Sequence, residues 1–295
     1  MANLKEVRER ISSVVTTQQI TKAMKLVAAS KLKKATDRIT VMRPYSDKLF
    51  SILKNILSNV DVNSLDLNFS KKRSVKKVLI LLITSDKGLC GGFNANLNKK
   101  AKALIESDYK HLIGKDAITI AAIGKKGNDF FKNYQGISMD TTYQGLFADI
   151  SFDNASNAAE YAMNAFLKGE CDSVHVVYSE FVNAATQIFR QEQFLPIAQF
   201  DAQAGEMNAD FLFEPNKEEL VKELIPKILK TQFFRFILDN NASEHGARMV
   251  AMDQATENAN ELLNDLKLQY NRERQAAITN EILEIVGGAA ALEES

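Results

Sequence analysis

The chain has 295 residues, 45% of them hydrophobic, which suits about two domains with a sizeable core and excludes a disordered tail protein. Lys plus Arg and Asp plus Glu each total 37, so the formal net charge is zero. The overall basic excess of a nucleic-acid binder that tracks phosphates is missing. The two cysteines, Cys90 and Cys171, lie far apart and form neither a disulfide framework nor a C-x-x-C pair, which fits a reducing compartment without structural zinc.

In chain order, the opening MANLKEVRERI is charged and amphipathic, with no apolar signal core and no Arg/Ser-rich presequence. A cytosolic location is expected, and docking on a membrane complex stays open. Asn3 with Glu6 reads as a cap and capping-box pair for a helix that starts at once. No Gly precedes Gly88 and no Pro precedes Pro44, so this first helix should be long. Leu4, Val7, Ile11 and Val14 form an apolar stripe that resumes, after the polar Gln18 and Gln19, at Met24, Ala28, Leu32, Ala35, Ile39 and Met42. The interruption is read as a shift of seam rather than a helix end.

The middle of the chain has another texture. VLILLITSD, AITIAAIG and SVHVVYSEFV are short β-rich runs that alternate with helical stretches over 94–106, 125–134 and 153–167. TQIFRQEQFLPI reads as an added edge strand. A compact α/β domain over 75–205 is therefore expected between helical segments over 1–60 and 210–295. The longest aliphatic run, Val78 to Ile83, is far short of the ~20 residues of a membrane span.

From Asn216 and Glu219 onward the helical pattern is broken only by Pro226, Gly246, Gly287 and Gly288. Pro226 should kink this last helix or mark its true start. From Pro226 to the terminus a continuous helix would span roughly 100 Å, against a radius of gyration of ~19 Å for a compact chain of this length. It should protrude and pair with the first helix, since residues 1–43 carry a Lys/Arg excess and residues 241–295 an Asp/Glu excess.

Candidate chemistry is sparse. TSDKGLCGGFN stands between a strand and a helix, where a phosphate loop would sit, yet Gly88, Gly91 and Gly92 match no nucleotide fingerprint. GKKG at 124–127 reads as a strand-to-helix turn rather than an RNA clamp. His111, His175 and His245 are scattered, His175 reading as a core residue, and Ser85 has no placeable histidine base. No catalytic, metal or cofactor constellation is expected. A phosphate-binding α/β enzyme using Gly88 to Gly92 and a free-standing coiled-coil tether remain as alternatives.

Three blocks carry a family resemblance. They are ISSVVTTQQITKAMKLVAASKLKKA from Ile11 with RPYS at Arg43, TSDKGLCGGFN, and ASEHGARMVAMDQATENA from Ala242 through YNRERQAAITNEILEIVGGAAAL. The last contains I-T-x-E-x-x-E-x-x-x-G-A at Ile278, Thr279, Glu281, Glu284, Gly288 and Ala289. Together they resemble the gamma subunits of F-type ATP synthases, over the whole chain. The resemblance implies an antiparallel coiled coil of N- and C-terminal helices with an inserted Rossmann-like α/β domain. It also implies a non-catalytic central-stalk rotor without cofactor that couples proton-driven rotation to ATP synthesis, in reverse on hydrolysis. Its implied partners are the alpha and beta subunits of the catalytic hexamer, the epsilon subunit and the membrane c ring, one copy per complex and no nucleic acid. The implied place is the cytoplasmic face of a bacterial plasma membrane, as a peripheral protein. By the same resemblance Met24, Lys25, Arg248, Arg274, Gln275 and Thr279 would meet the beta subunits. Ile278, Ile282 and Ile285 would form an apolar bearing, with the small residues from Gly287 to Ala291 at the tip. Phe213 and Glu214 would belong to the foot on the c ring.

Overall fold

The structure, a computed structural model, describes residues 4–58, 68–70, 73–197 and 217–293. Two long helices enclose a sheet domain in the chain order. Helix α1 (Leu4–Ser58) comes first, followed by β1 (Val78–Ile83), α2 (Phe93–Asp108), β2 (Ile118–Ile123), α3 (Lys125–Phe131), β3 (Ser138–Asp140), α4 (Phe152–Leu167), β4 (Ser173–Phe181) and β5 (Gln187–Leu195). Helix α5 (Lys217–Glu293) closes the chain. The expected α/β pattern is present, with β3 an addition: SMD is too short and too exposed to register as a strand in the sequence. Pro226 does not mark the start of the last helix, because α5 is helical on both sides of it. Asn3 and Asn216, the expected caps, and Phe213 with Glu214 lie outside the described residues.

The chain separates into two compact units, Met1–Ala28 with Met249–Ser295, and Ala29–Arg248. In the first, α1 and α5 run antiparallel, since Gln18 bonds Asn260, Thr21 meets Thr256 and Lys25 meets Asp253. Its buried seam is Val7, Thr21 and Ala28 on α1 against Met252, Ala259 and Leu266 on α5, all at multiples of seven. The expected shift of seam does not occur. Val7, Ile11, Val14, Gln18, Thr21, Lys25 and Ala28 keep one heptad phase, and the polar members stay in the seam because each finds a polar partner across it.

In the second unit the sheet order is β3-β2-β1-β4-β5, parallel except for β5, which runs antiparallel to β4 at the edge. All six residues of β1 are buried, as a strand covered on both faces requires. Leu79, Leu81 and Ile83 pack with the alanine face of α4 and with Ile228, Phe233 and Ile237 of α5. Val78, Ile80 and Leu82 pack with Phe93, Leu97, Leu104 and Phe131 on the other face.

Strand β4 is nine residues long and β1 six, so β4 overhangs its parallel neighbour, whose last pair is Leu82 with Val177. Side chains stand in for the missing strand. Ser179 N donates to Asn240 Oδ1 (3.1 Å), Ser243 Oγ donates to Ser179 O (3.2 Å) and Phe181 N donates to Asp239 Oδ1 (3.2 Å). Arg43 of α1 donates to Phe181 O and to Asp239 Oδ1, the latter at 2.7 Å. Gly246, one turn further on, lies so close to the β4–β5 turn that an added Cβ would stand 3.2 Å from the Ala184 backbone.

Asp239 is 1% exposed and its carboxyl is pushed upward by burial, with Arg43 pulling the other way. Asp239→Ala strands both the Arg43 guanidinium and the Phe181 amide, and should cost about 3 kcal/mol or more in urea unfolding of the full chain. Asp239→Asn, which keeps an acceptor, should cost less.

His175 on β4 is a core residue, with its Nε2 at 2.6 Å from Tyr109 Oη and 3.0 Å from Ser173 Oγ. Burial lowers its pKa to about 4, and the same cause lowers His245 to about 4. A histidine depressed in the folded state binds its proton first in the unfolded chain, so stability is full above pH ~6.5 and is lost as pH falls toward 4. For His175 that loss is roughly 3 kcal/mol. Unfolding measured between pH 7 and 4 should show a shallower slope in His175→Gln than in the parent chain.

Candidate functional site

The described side chains of α5 divide at Ala277. Before it, residues at heptad spacing are buried or half-buried against α1; beyond it, every described side chain through Ala289 is exposed. Ile278, Ile282 and Ile285 are 48%, 55% and 71% exposed, and Val286 extends the same stripe. A row of large aliphatic side chains on bare helix is costly to leave in water and marks a contact surface. Gly287 and Gly288 follow, with open space where a Cβ would stand, so the apolar row ends in a smooth stretch of helix. Two helical glycines cost roughly 1 kcal/mol each relative to alanine.

Arg274 and Gln275 stand one turn before this row, both exposed. Arg274 meets neither Asp265 nor Glu281 and has no ion-pair partner among the described residues, so its forked donors face outward. Thr279 returns its hydroxyl to Gln275 O at 2.9 Å, within the helix. Arg274, Ile278 and Ile282 follow one another at i+4, with Gln275 and Thr279 beside them. The structure thus brings six of the residues singled out from the sequence, Ile285 included, onto one stretch of α5.

The others lie elsewhere. Lys25 is paired with Asp253 at 2.5 Å, and Met24 beside it is half-buried. That level of the coiled coil is roughly 30 Å along α5 from Arg274 at 1.5 Å per residue. Arg248 belongs to the second unit and is 9% exposed. Its guanidinium bonds Glu244 Oε1 (2.6 Å), Lys87 O (3.2 Å) and Gly88 O, all within its own chain. Burial pushes Glu244 upward while Arg248 pulls it down. Nothing in the sequence marked this clasp, because its ends are a helix and a loop far apart in the chain.

The clasp explains the loop TSDKGLCGGFN. Ser85 N donates to Asn94 Oδ1 (3.0 Å) and Ser85 Oγ to Lys87 O (2.7 Å), with no histidine bonded to it. The amides that open α3 are also taken, Lys125 N by Asp86 Oδ1 (3.2 Å) and Gly127 N by Thr84 Oγ1 (2.8 Å). Gly124, at φ +96, must be glycine, since a Cβ would stand 2.4 Å from Thr84 O. At the start of α3 a carboxylate and a hydroxyl therefore take amide donors that a phosphate would otherwise collect. Cys90 beneath the loop is buried, which raises its thiol above the usual range despite the nearby Arg248. Among the described residues no His, Cys, Asp or Glu cluster has the geometry of a metal site, and no helix is long and apolar enough to cross a membrane.

Comparison with known proteins identifies the family. The ATP synthase family model labelled ATP-synt matches residues 3–292. The ATP synthase gamma chain of Cytophaga hutchinsonii is 55% identical, with 99% of each chain covered. That of Christiangramia forsetii is 53% identical at the same coverage, and that of Chlorobaculum parvum 46% identical over the whole of both chains. Among solved structures, the central stalk and c-ring of the Tetrahymena thermophila mitochondrial ATP synthase aligns with TM-score 0.58 at 25% identity. That alignment covers 80% of this chain and 99% of that one. The Euglena gracilis mitochondrial ATP synthase shares the fold, with TM-score 0.66 at 20% identity over 98% of this chain and 94% of that one. With its antiparallel terminal helices, its inserted sheet domain and relatives of this identity over its full length, the chain belongs to the bacterial ATP synthase gamma chain family and is a central-stalk subunit of F-type ATP synthase.

Proposed function

We propose that this central-stalk subunit is a non-catalytic rotor, one copy per complex. It couples proton-driven turning of a membrane c ring to the opening and closing of catalytic beta subunits, and runs in reverse during hydrolysis. The alpha and beta subunits form the sleeve around the end of α5, the epsilon subunit stands beside the lower part, and the segment with Phe213 and Glu214 meets the c ring. The chain works as a peripheral protein on the cytoplasmic face of the bacterial membrane and needs no cofactor of its own.

The observation that carries this reading is the end of α5, an exposed aliphatic row with a glycine tip beyond it and, before it, exposed Arg274 and Gln275, Arg274 without an ion-pair partner among the described residues. A shaft that turns inside a sleeve must slide at most angles and engage at few. Aliphatic contact is non-directional and supplies the sliding, through Ile278, Ile282 and Ile285. A guanidinium makes directional, bidentate contacts with carboxylates and supplies the engagement. Met24 and Lys25 form a second contact with the beta subunits at the level of Asp253, and Thr279 belongs with Arg274 and Gln275. We keep Arg248 among the partner contacts through the loop it holds, since its own donors are spent on Glu244, Lys87 and Gly88. The assigned division of labour also leaves this chain without ATP turnover of its own. Purified full-length chain should hydrolyse no ATP, and activity that vanishes on Lys87→Ala would count against the rotor reading.

The direct test is the double variant Arg274→Ala/Gln275→Ala. Both side chains are exposed, so the chain's own stability should change by no more than ~0.5 kcal/mol. The complex should assemble at parental yield, because the aliphatic row is intact. ATP synthesis and ATP-driven pumping in reconstituted vesicles should fall, each lost charge-assisted bond being worth ~1.5 to 3 kcal/mol where it is desolvated. Parental rates at matched complex content would remove these residues from the coupling path.

A further inference from the structure

The seam of the coiled-coil unit contains one heptad that its apolar pattern does not explain. Between Val14 and Ala28 on α1 the seam positions are Gln18, Thr21 and Lys25, three polar residues in succession. Each meets a polar residue of α5. Gln18 Nε2 donates to Asn260 Oδ1, the Thr21 and Thr256 hydroxyls meet at 2.7 Å, and Lys25 Nζ stands 2.5 Å from Asp253 Oδ1. Thr21 Oγ1 also lies 3.0 Å from Gln18 O and Thr256 Oγ1 2.7 Å from Met252 O, so one hydroxyl donates across the rung while the other bonds back into its own helix. The rungs span one heptad on each helix and run in strict antiparallel order.

We propose that this polar heptad is a phase lock, a set of positioning residues that fixes the height and rotation of α5 against α1. Apolar seams hold helices together without specifying register closely, because one aliphatic layer substitutes for another after a slip. These three pairs match best in one register. A slip of one heptad would bring Gln18 level with Lys267, Thr21 with Leu263 and Lys25 with Asn260. The hydroxyl rung would be lost against Leu263, Lys25 would exchange a carboxylate for a neutral amide, and Asp253 would lose its cation. The lock costs stability relative to an all-aliphatic seam and returns specificity, as polar seam residues do in other coiled coils.

The position of the lock gives it a consequence. In the same unit α5 continues from Asn260 to the exposed Arg274 and Gln275. A helix drifts by ~20° per heptad relative to a 3.5-residue repeat unless its seam holds it. A rotation of that size moves a side-chain tip ~6 Å from the axis by ~2 Å, enough to miss a hydrogen bond. The phase lock therefore sets the angle at which Arg274 and Gln275 stand on the shaft. The lock itself is independent of the proposed function; its effect on coupling rests on that reading.

The test uses the full chain with spin labels at Glu9→Cys and Asp265→Cys. Cys90 and Cys171 are both buried and free, which favours labelling of the exposed substituted positions. In a six-residue variant, Gln18→Leu/Thr21→Val/Lys25→Leu/Asp253→Leu/Thr256→Val/Asn260→Leu, the chain should melt at the same or a higher temperature. The label-to-label distance distribution should nevertheless widen at least twofold. A distribution as narrow as the parent's overturns the lock. A second variant spares Lys25 and Asp253, because Lys25 is also assigned to a partner contact, and replaces the other four residues. In the assembled complex it should hydrolyse ATP at a parental rate while ATP synthesis per proton gradient falls severalfold. Parental synthesis with a widened distribution overturns the lock's role in coupling. Arg274 and Gln275 are intact in both variants, so a failure of the catch appears separately, as a null result in their double alanine variant with a narrow distribution.

Discussion

The overhanging end of β4 is the constraint on which the sheet unit depends. A buried strand that outruns its neighbour leaves amides and carbonyls without partners, each costing ~1 to 3 kcal/mol if left so. Here the partners are side chains of the two long helices, Asn240, Ser243 and Asp239 from α5 and Arg43 from α1. A longer β1 would have satisfied the same groups within the sheet alone. Because helices do the pairing, the sheet is tied by directional bonds to both ends of the chain at once. Arg235 adds to this tie by pairing with Asp47 of α1 at 2.5 Å and approaching Asp239 at 3.6 Å.

The chain handles polar groups in two opposite ways. In the sheet unit the loop from Thr84 to Asn94 turns its groups inward, and the Arg248–Glu244 clasp closes over it. What resembles a phosphate loop in sequence is a joint held by Ser85 with Asn94 and by Arg248 on the Lys87 and Gly88 carbonyls. At the end of α5 the arrangement reverses, with aliphatic and cationic side chains left bare. This contrast supports the proposed rotor, in which the chemistry belongs to the partners. The polar heptad between Gln18 and Lys25 lies between these extremes, bonded but within a seam that aliphatic residues would fill more stably.

Much of this was legible in the sequence. The absence of Gly before Gly88 announced α1, the aliphatic runs announced β1, β2 and β4, and the opposite charge of the two ends anticipated contacts such as Lys25 with Asp253. What escaped shares one physical cause. Hydrophobic periodicity detects apolar burial and is blind to buried polar groups whose partners are remote. Gln18 and Gln19 therefore read as a break in the seam, although Asn260 and Thr256 keep Gln18 and Thr21 inside it. Asp239, Asn240 and Ser243 read as an ordinary polar stretch, since their partners on β4 lie about sixty positions earlier in the chain. Pro226 does not start the helix because a proline inside a long helix loses one hydrogen bond, which packing of Ile225, Ile228 and Leu229 in the core offsets. The exposed end of α5 was legible as apolar and small, and its start near Ala277, beyond the reach of α1, was legible as well.

The rotor reading is tested most directly by watching the shaft. With both native cysteines buried, Lys110→Cys on the exposed surface of the sheet unit offers an attachment point for a single particle in the surface-tethered complex. Rotation in one direction, in repeated steps of equal angle that stop when ATP is withdrawn, is the predicted result. Sustained ATP turnover with the particle fixed in angle would contradict the account, leaving a tether where a shaft is proposed.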